Sequence, residues 1–194
     1  MGSKAICICF ISIFLFFSSP FVILITLACV GVKPRFYVEE LYIPSLNTSN
    51  PLTHNATNPN TSIIIDLEFK RELAHVPLRY RDINVTLYYG QNRSSVGGAV
   101  VAGFSQGKRR TARRRAVVDA SGLPWEEAFE RVSRGSGVEV KVEVDTGYML
   151  RRCDEDRCYY TKAKAVVVAA DLVVDGSGVE VSKKAMRLKK KVSV

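Results

Sequence analysis

The feature that most constrains this chain is an apolar run near its start. Residues 5–32 contain no Asp, Glu, Lys or Arg. A helix needs roughly 20 apolar residues to cross a hydrocarbon core of about 30 Å, and this run exceeds that length. Pro20 lies near the middle of the run, where Ser18 and Ser19 can satisfy the freed backbone carbonyl. The run therefore predicts an uncleaved transmembrane helix.

Two other structures compete for the same run. A cleaved signal peptide, and hence secretion, would have an apolar region of about 7–15 residues and a small-x-small exit. This run is longer, and Thr26-Leu27-Ala28 fits such an exit poorly. A buried core helix is seldom apolar on every side. We favour the anchor, which divides the chain into a cytosolic stub at residues 1–4, a span at 5–32 and one domain at 33–194.

Asparagine sequons indicate which side of the membrane holds the domain. Five of the seven asparagines begin an Asn-X-Ser/Thr pattern, the acceptor pattern for N-glycosylation. They are Asn47, Asn55, Asn60, Asn84 and Asn92. Chance in a Ser/Thr-rich stretch could explain one or two of them. Five favour a lumenal or extracellular domain.

The five cysteines are consistent with that side. Cys7, Cys9 and Cys29 lie in the span, where a thiol can be free or palmitoylated. Cys153 and Cys158 predict a hairpin disulfide, which would contribute roughly 2 kcal/mol in the chain-entropy model. A zinc site would need further ligands at suitable spacing. The three acids between the two cysteines could attract calcium weakly, but a charged hairpin tip is the simpler interpretation, and we expect no metal site or cofactor.

The charge balance of the chain is basic. Its 28 Lys and Arg residues outnumber 19 Asp and Glu residues. The densest basic run comprises Lys108, Arg109, Arg110, Arg113, Arg114 and Arg115. Inside a nucleus such a run would indicate nucleic-acid binding, a partner that we exclude for an extracellular domain. A solvated loop is the plainer interpretation. The functional hypothesis is contact with acidic wall polysaccharide or anionic lipid, at about 1 kcal/mol per residue and screened by salt.

Alternating apolar and polar residues predict strands along the domain. The expected strands lie at 36–46, 63–70, 83–89, 97–104, 138–145, 148–152 and 159–174. In the patterns at 63–70 and 83–89, Glu68 and Asn84 are expected to face outward. Two Gly-Ser-Gly-Val-Glu-Val copies, at 135–140 and 176–181, predict similar turns that each feed a strand.

One segment has helical spacing instead. Trp125, Ala128, Phe129 and Val132 would share one face of a helix that follows Pro124. Gly135 could end that helix. Seven or eight short strands with one short helix are typical of an antiparallel β-sandwich.

One motif resembles an enzyme signature. Gly103-Phe104-Ser105-Gln106-Gly107 matches the nucleophile-elbow pattern, which requires an acid and a histidine later in the chain. His54 and His75 both precede the serine. We interpret the match as accidental and expect no catalytic residue, with a serine hydrolase using Ser105 as an alternative.

The order of these segments resembles a plant family, the non-race-specific-disease-resistance and harpin-induced-like proteins. The outer part of those proteins is a late-embryogenesis-abundant group two domain, also called the water stress and hypersensitive response domain. The resemblance lies in an anchor followed by KPRFYVEELYIPSLN at 33–47, INVTLYYG at 83–90, FSQGKRR at 104–110 and VEVSKK at 179–184.

The resemblance implies a β-sandwich of immunoglobulin or fibronectin-III shape, tethered to the plasma membrane with its C-terminal domain outside the cell. It further implies a non-catalytic role in defence or stress responses, with protein partners at the boundary between membrane and wall. A stress-protective or lipid-binding domain is the alternative within the same family.

Overall fold

The computed structural model describes residues 33–49, 60–71, 77–90, 94–107, 111–182 and 184–190. The predicted anchor at 5–32 and the cytosolic stub lie outside these ranges. Within them, no helix is both long enough and apolar enough to span a membrane. The chain divides into two compact units, Met1–Lys33 and Pro34–Val194, and the fold described below is that of the second unit.

The described residues form a mostly-β fold with one short α-helix. The strands are β1 (Pro34–Tyr42), β2 (Ser62–Arg71), β3 (Leu78–Tyr80), β4 (Ile83–Tyr89), β5 (Ser94–Val101), β6 (Ser105–Gln106), β7 (Thr111–Asp119), β8 (Val138–Cys153), β9 (Cys158–Tyr160), β10 (Lys164–Val174), β11 (Met186–Arg187) and β12 (Lys189–Lys190). The helix is α1 (Trp125–Ser133), and a 3₁₀ turn (Pro44–Leu46) follows β1. This confirms the mostly-β class that the alternating patterns predicted.

The strands pair in antiparallel fashion in the order β11-β1-β2-β7-β5-β4-β8-β10-β12. Strand β3 pairs with β6 and β8, and β9 pairs with β8. We call β1, β2 and β7 the first limb, and β5, β4, β8 and β10 the second limb. In the strand pairing, the limbs are joined where Gly98 of β5 lies opposite Asp119 of β7.

Aromatic side chains form one part of the core between the limbs. The rings of Phe36 on β1 and Phe69 on β2 lie 6.2 Å and 5.2 Å from the Tyr80 ring on β3, measured between centroids. Tyr80 is fully buried, and its hydroxyl bonds with Gln106 Oε1 at 3.1 Å. The core therefore lies between limbs that are joined along one side by β5 and β7.

The C-terminal segment closes the other side. Strand β11 pairs with two residues of β1, and β12 pairs with two residues of β10, so one short segment covers part of both remaining edges. Leu188 lies between these two strands, is 4% exposed, and donates its N–H to the Phe36 carbonyl at 2.9 Å. Because unpaired edges invite association with other chains, this covering protects the fold.

Burial follows the predicted alternation on the main strands. The inward residues of β2, β4 and β8 are buried, namely Ile63, Ile65, Leu67, Phe69, Ile83, Val85, Leu87, Val138, Val140, Val142 and Val144. Asn84 is exposed as expected. Glu68 differs, because it is only 6% exposed and lies beside Lys70, with 2.7 Å between Oε2 and Nζ. Glu68 is thus covered by the cation with which it pairs.

Several predicted boundaries were wrong. Strand β1 ends at Tyr42 because Pro44 begins the 3₁₀ turn. The strand predicted at 97–104 ends at Val101. The two strands predicted within 138–152 are one continuous strand, β8, and the strand predicted at 159–174 is divided into β9 and β10.

The arginines at 113–115 of the basic run were also misassigned to a loop. Residues 111–119 form β7, in which the buried Ala116 and Val118 alternate with exposed residues. Charged side chains outnumber apolar ones at the start of this strand. The alternation of apolar and polar residues was therefore not visible in the sequence. Strands β3, β6, β11 and β12 are only two or three residues long, which is too short to show a period.

Helix α1 confirms the helical prediction. Ala128 and Val132 are buried, while Trp125 is half-buried. Pro124 immediately precedes the helix, and Gly135 follows it with φ of 77°, a left-handed conformation that favours glycine. The first Gly-Ser-Gly copy leads into β8 as expected, whereas the second leads only into isolated bridges of Val179 and Glu180.

The strands define two ends of the domain. At the hairpin end, β1 and β7 begin, β2 and β8 end, and the β8–β9 hairpin projects. At the helix end, β1 and β7 end, β8 begins, and α1 lies between β7 and β8 in sequence.

We predict that Gly97→Ala weakens the junction between the limbs. A Cβ at Gly97 would meet the carbonyl oxygen of Asp119 and lie 2.8 Å from Ala120 Cα, so backbone would have to move. The free energy of unfolding should fall by about 1–3 kcal/mol, as measured by urea denaturation of the detergent-solubilised chain. Gly107→Ala is the matched control, because a Cβ there meets no atom of the described residues within 4 Å. Equal unfolding free energies for the two variants would contradict the prediction.

Candidate functional site

The predicted basic run contributes to a charged face on the outer side of the first limb. A register shift in β1 between Val38 and Glu40 places two adjacent glutamates on this side, next to residues of β2 and β7. The charged face comprises Glu39, Glu40, Asp66, Glu68, Lys70, Arg113 and Arg115. Five of these residues line an open depression of about 500 Å³, namely Glu39, Glu40, Asp66, Arg113 and Arg115.

Arginines and carboxylates are paired across the charged face. The Arg113 guanidinium lies 2.6 Å from Glu39 Oε1. Arg115 donates Nε–H and Nη2–H to the two oxygens of Asp66, both at 2.8 Å, which is the bidentate arrangement that fixes an arginine in place. The hydrogen bond from Arg115 holds the pKa of Asp66 below its ordinary value, and the charges of Arg115 and Arg113 lower the pKa further.

Arg114 points to the other side of β7. Successive residues of a strand alternate between faces, and the register places Arg114 opposite the buried Leu67. Its guanidinium carbon lies 4.0 Å from the centroid of the Phe104 ring, at the edge of the core. The structure therefore brings Arg113 and Arg115 together and separates Arg114 from them, while Lys108, Arg109 and Arg110 lie outside the described residues.

The charged face has no excess positive charge, because its four acids outnumber its three bases. Three carboxylates and two guanidinium groups line its depression. A polyanion site needs a surplus of cations, so this face is poorly suited to acidic polysaccharide. Its geometry instead suits the role of holding β1, β2 and β7 in register.

Three of the five predicted glycosylation sites are described. Asn60 and Asn84 are exposed, and Asn47 is half-buried. The side-chain oxygens of Asn47 and Asn60 accept hydrogen bonds from the N–H groups of Ser49 and Ser62, both at 3.0 Å. Asn55 and Asn92 lie outside the described residues.

The described sequons occupy different parts of the domain. Asn47 follows the 3₁₀ turn, and Asn60 precedes β2, so both are at the helix end. Asn84 is on the outward side of β4, where it lies opposite Val100 of β5 and Asp145 of β8. Asn60 and Asn84 thus present their side chains to solvent at two separate places.

The predicted disulfide is present. Cys153 and Cys158 are bonded, with their Cα atoms 4.0 Å apart, and they join the end of β8 to the start of β9. All residues from 151 to 160 are exposed, including the three acids of the tip. Among the residues that the structure describes, no group of three or more His, Cys, Asp or Glu side chains is placed to hold a metal ion.

Ser105 is exposed on the two-residue strand β6, opposite Arg79 of β3. Strand β7 begins at Thr111, where a nucleophile elbow would have a helix. His54 and His75 lie outside the described residues. The structure therefore places no base beside Ser105 within the described ranges.

The hairpin end contains a cluster that the sequence patterns did not reveal. The Arg79 guanidinium carbon lies 5.7 Å from the centroid of the Tyr160 ring. Tyr159 and Tyr160 are 46% and 41% exposed, which is unusual for large aromatic side chains. The pairing of β3 and β9 with β8 brings these residues together, and their separation in sequence concealed it.

Comparison with known proteins adds little about this site. No protein-family model matches the chain, and no curated protein matches it. Among solved structures, it is similar to a protein from Archaeoglobus fulgidus, with 11% identity, a TM-score of 0.31, and coverage of 75% of this chain and 96% of that one.

We predict that Arg115→Gln raises the pKa of Asp66 toward its ordinary value. Arg115 donates both hydrogen bonds to that carboxylate, whereas Arg113 acts on it only through charge. The measurement is an NMR titration of the Asp66 carboxyl carbon. The matched control, Arg113→Gln, should give the smaller rise, and a larger rise in the control would contradict the pairing.

The Arg115–Asp66 pair also affects how the stability of the fold depends on pH. A carboxyl group whose pKa is lower in the folded state stabilises the fold fully above its unfolded pKa of about 3.9. That stabilisation is lost as the pH falls through the lower folded pKa. In the Arg115→Gln variant, stability should therefore depend less on pH in this acidic range.

Proposed function

We propose that the chain is a single-pass plasma-membrane protein of plant defence or stress responses. Residues 5–32 hold it in the bilayer, and the domain at 33–194 lies outside the cell, bears glycans and acts by binding rather than by catalysis. Its partners belong to the boundary between membrane and wall. The order of sequence segments that resembles the plant disease-resistance and harpin-induced-like family carries this proposal.

The placement of the sequons supports an extracellular domain. Glycosylation requires an acceptor that an enzyme can reach, and Asn60 and Asn84 are exposed. The disulfide supports the same side, because disulfides persist in oxidising compartments. These two features come from different parts of the fold, so they support the topology independently.

The finer fold in this proposal is an immunoglobulin-like or fibronectin-like sandwich of the late-embryogenesis-abundant group two class. Two limbs joined where β5 pairs with β7, with aromatic rings between them, support a two-layered arrangement. A long β8 that pairs with β3, β4, β9 and β10 would be its central strand.

The rival is a lipid-binding domain that would hold an acyl chain between its limbs. The rings of Phe36, Phe69, Tyr80 and Phe104 pack together in part of the described interior, with neighbouring centroids 4.8–6.2 Å apart, and buried aliphatic side chains of β2, β4 and β8 occupy other parts of it. This packing gives the rival less support. Lipid that co-purifies with the chain through detergent exchange would favour the rival.

The proposed topology can be tested at the sequon that begins at Asn84. We remove the other four sequons and express this variant with sealed microsomes. One glycan should then raise the apparent mass of the chain by one step on a gel, and glycosidase should remove that step. Thr86→Val should abolish that step, because it removes the acceptor hydroxyl and keeps a similar shape. Thr86→Ser is the matched control and should keep the step, because serine restores the sequon.

Protease protection completes the topology test. If the domain is lumenal in microsomes, added protease should leave residues 33–194 intact until detergent opens the vesicles. Digestion of the domain in sealed vesicles, together with absence of any glycan, would overturn the proposal.

A further inference from the structure

Exposed charge is divided between the two ends of the domain. The exposed bases of the described residues at the hairpin end are Lys33, Arg35, Arg79, Arg81, Arg151, Arg152, Arg157, Lys162 and Lys164. The exposed acids there are Asp82, Asp154, Glu155 and Asp156. Bases therefore outnumber acids by nine to four at this end.

The helix end has the opposite sign. Its exposed acids among the described residues are Asp119, Glu126, Glu127, Glu130, Glu139 and Asp175. Arg131 and Arg134 are the exposed bases there, and Arg134 pairs with Glu130 at 3.0 Å. Among the described residues, exposed charge is thus not spread evenly over the domain.

The two ends are far apart. Strand β8 contains 16 residues and runs from the helix end to the hairpin end. At about 3.3 Å per residue it is about 50 Å long, which is several Debye lengths at physiological salt. A charged surface that contacts one end will therefore scarcely sense the other.

The chain enters the domain at the basic end. Strand β1 begins at Pro34, which pairs with Arg71 at the hairpin end. On the proposed function, the membrane span ends at residue 32, so only Lys33 separates it from this strand. The basic end would then be held close to the lipid headgroups.

The aromatic residues of the hairpin suit the same surface. Tyr159 and Tyr160 are exposed next to Arg151 and Arg152 in the β8–β9 pairing. Tyrosine is favoured at membrane–water interfaces, where its ring lies at headgroup depth, and arginine attracts phosphate. The disulfide restrains this hairpin, so its side chains are presented on a fixed support.

We propose that the hairpin end docks on anionic phospholipid headgroups of the membrane that anchors the chain. Docking holds the domain upright, with the acidic helix end and the sequons at Asn47 and Asn60 directed away from the bilayer. This inference rests on the proposed function, because it requires the span at residues 5–32.

The test uses the full chain in lipid nanodiscs. The substitution Trp125→Phe removes the native tryptophan. The substitution Tyr160→Trp then places a single fluorescent reporter on the hairpin. Trp125 is the single tryptophan of the chain, and its buried Nε1 has no hydrogen-bond partner among the described residues, so its loss should be tolerated. Quenching of the reporter by a nitroxide on the phosphatidylcholine headgroup measures its distance from the lipid surface.

Quenching should be about twofold greater in discs that contain phosphatidylserine than in discs of phosphatidylcholine alone. Raising NaCl from 0.05 M to 0.5 M should remove most of that difference. Arg151→Glu with Arg152→Glu should abolish the difference. The matched control, Arg131→Glu with Arg134→Glu, makes the same charge change at the helix end and should leave it intact.

The inference is overturned if quenching is equal in both kinds of disc, or if the control pair lowers it as much as the hairpin pair. It is also overturned if the domain binds pectate and the reporter remains unquenched by lipid. A wash with alkaline carbonate, made before quenching is measured, tests the proposed function separately. If residues 5–32 do not span the bilayer, this wash should release the chain from the discs.

Discussion

The closure of the sheet by the C-terminal segment is the constraint on which the rest of the structure depends. Without it, β1 and β10 would each leave a row of unpaired backbone groups at an exposed edge. Strands β11 and β12 cover part of these edges, and the buried Leu188 between them packs against the core. On the opposite side, the limbs meet at Gly98 and Asp119. Both sides must close for the aromatic core to be shielded from water.

Closure also decides what each surface can do. Once the limbs are packed together, the outer side of β1, β2 and β7 becomes a charged face whose arginines are used in ion pairs. The residues available to an external partner include those at the ends of the strands, where connections project into solvent. The unequal charge of the two ends is thus the property of the fold that bears most directly on binding.

Much of the fold could be predicted from sequence because its long strands alternate strictly. Val138 to Val144 and Ile63 to Phe69 bury every second side chain, as the patterns indicated. Cys153 and Cys158 could be paired because no other cysteine of the domain competes for either. Strand β7 could not be recognised, since Arg113, Arg114 and Arg115 conceal its period. The Arg79–Tyr160 contact depends on tertiary pairing, which sequence alone does not display.

Hydrogen exchange at the Leu188 amide tests the closure most directly, in the detergent-solubilised full chain. That N–H donates to the Phe36 carbonyl at 2.9 Å, and the amide of the buried Val142 on β8, which pairs with β4 and β10, provides an internal reference. If the sheet is closed, the Leu188 amide should be protected to a similar degree as Val142. Exchange at Leu188 at the rate of an unstructured amide, with Val142 still protected, would show that the C-terminal segment does not close the sheet.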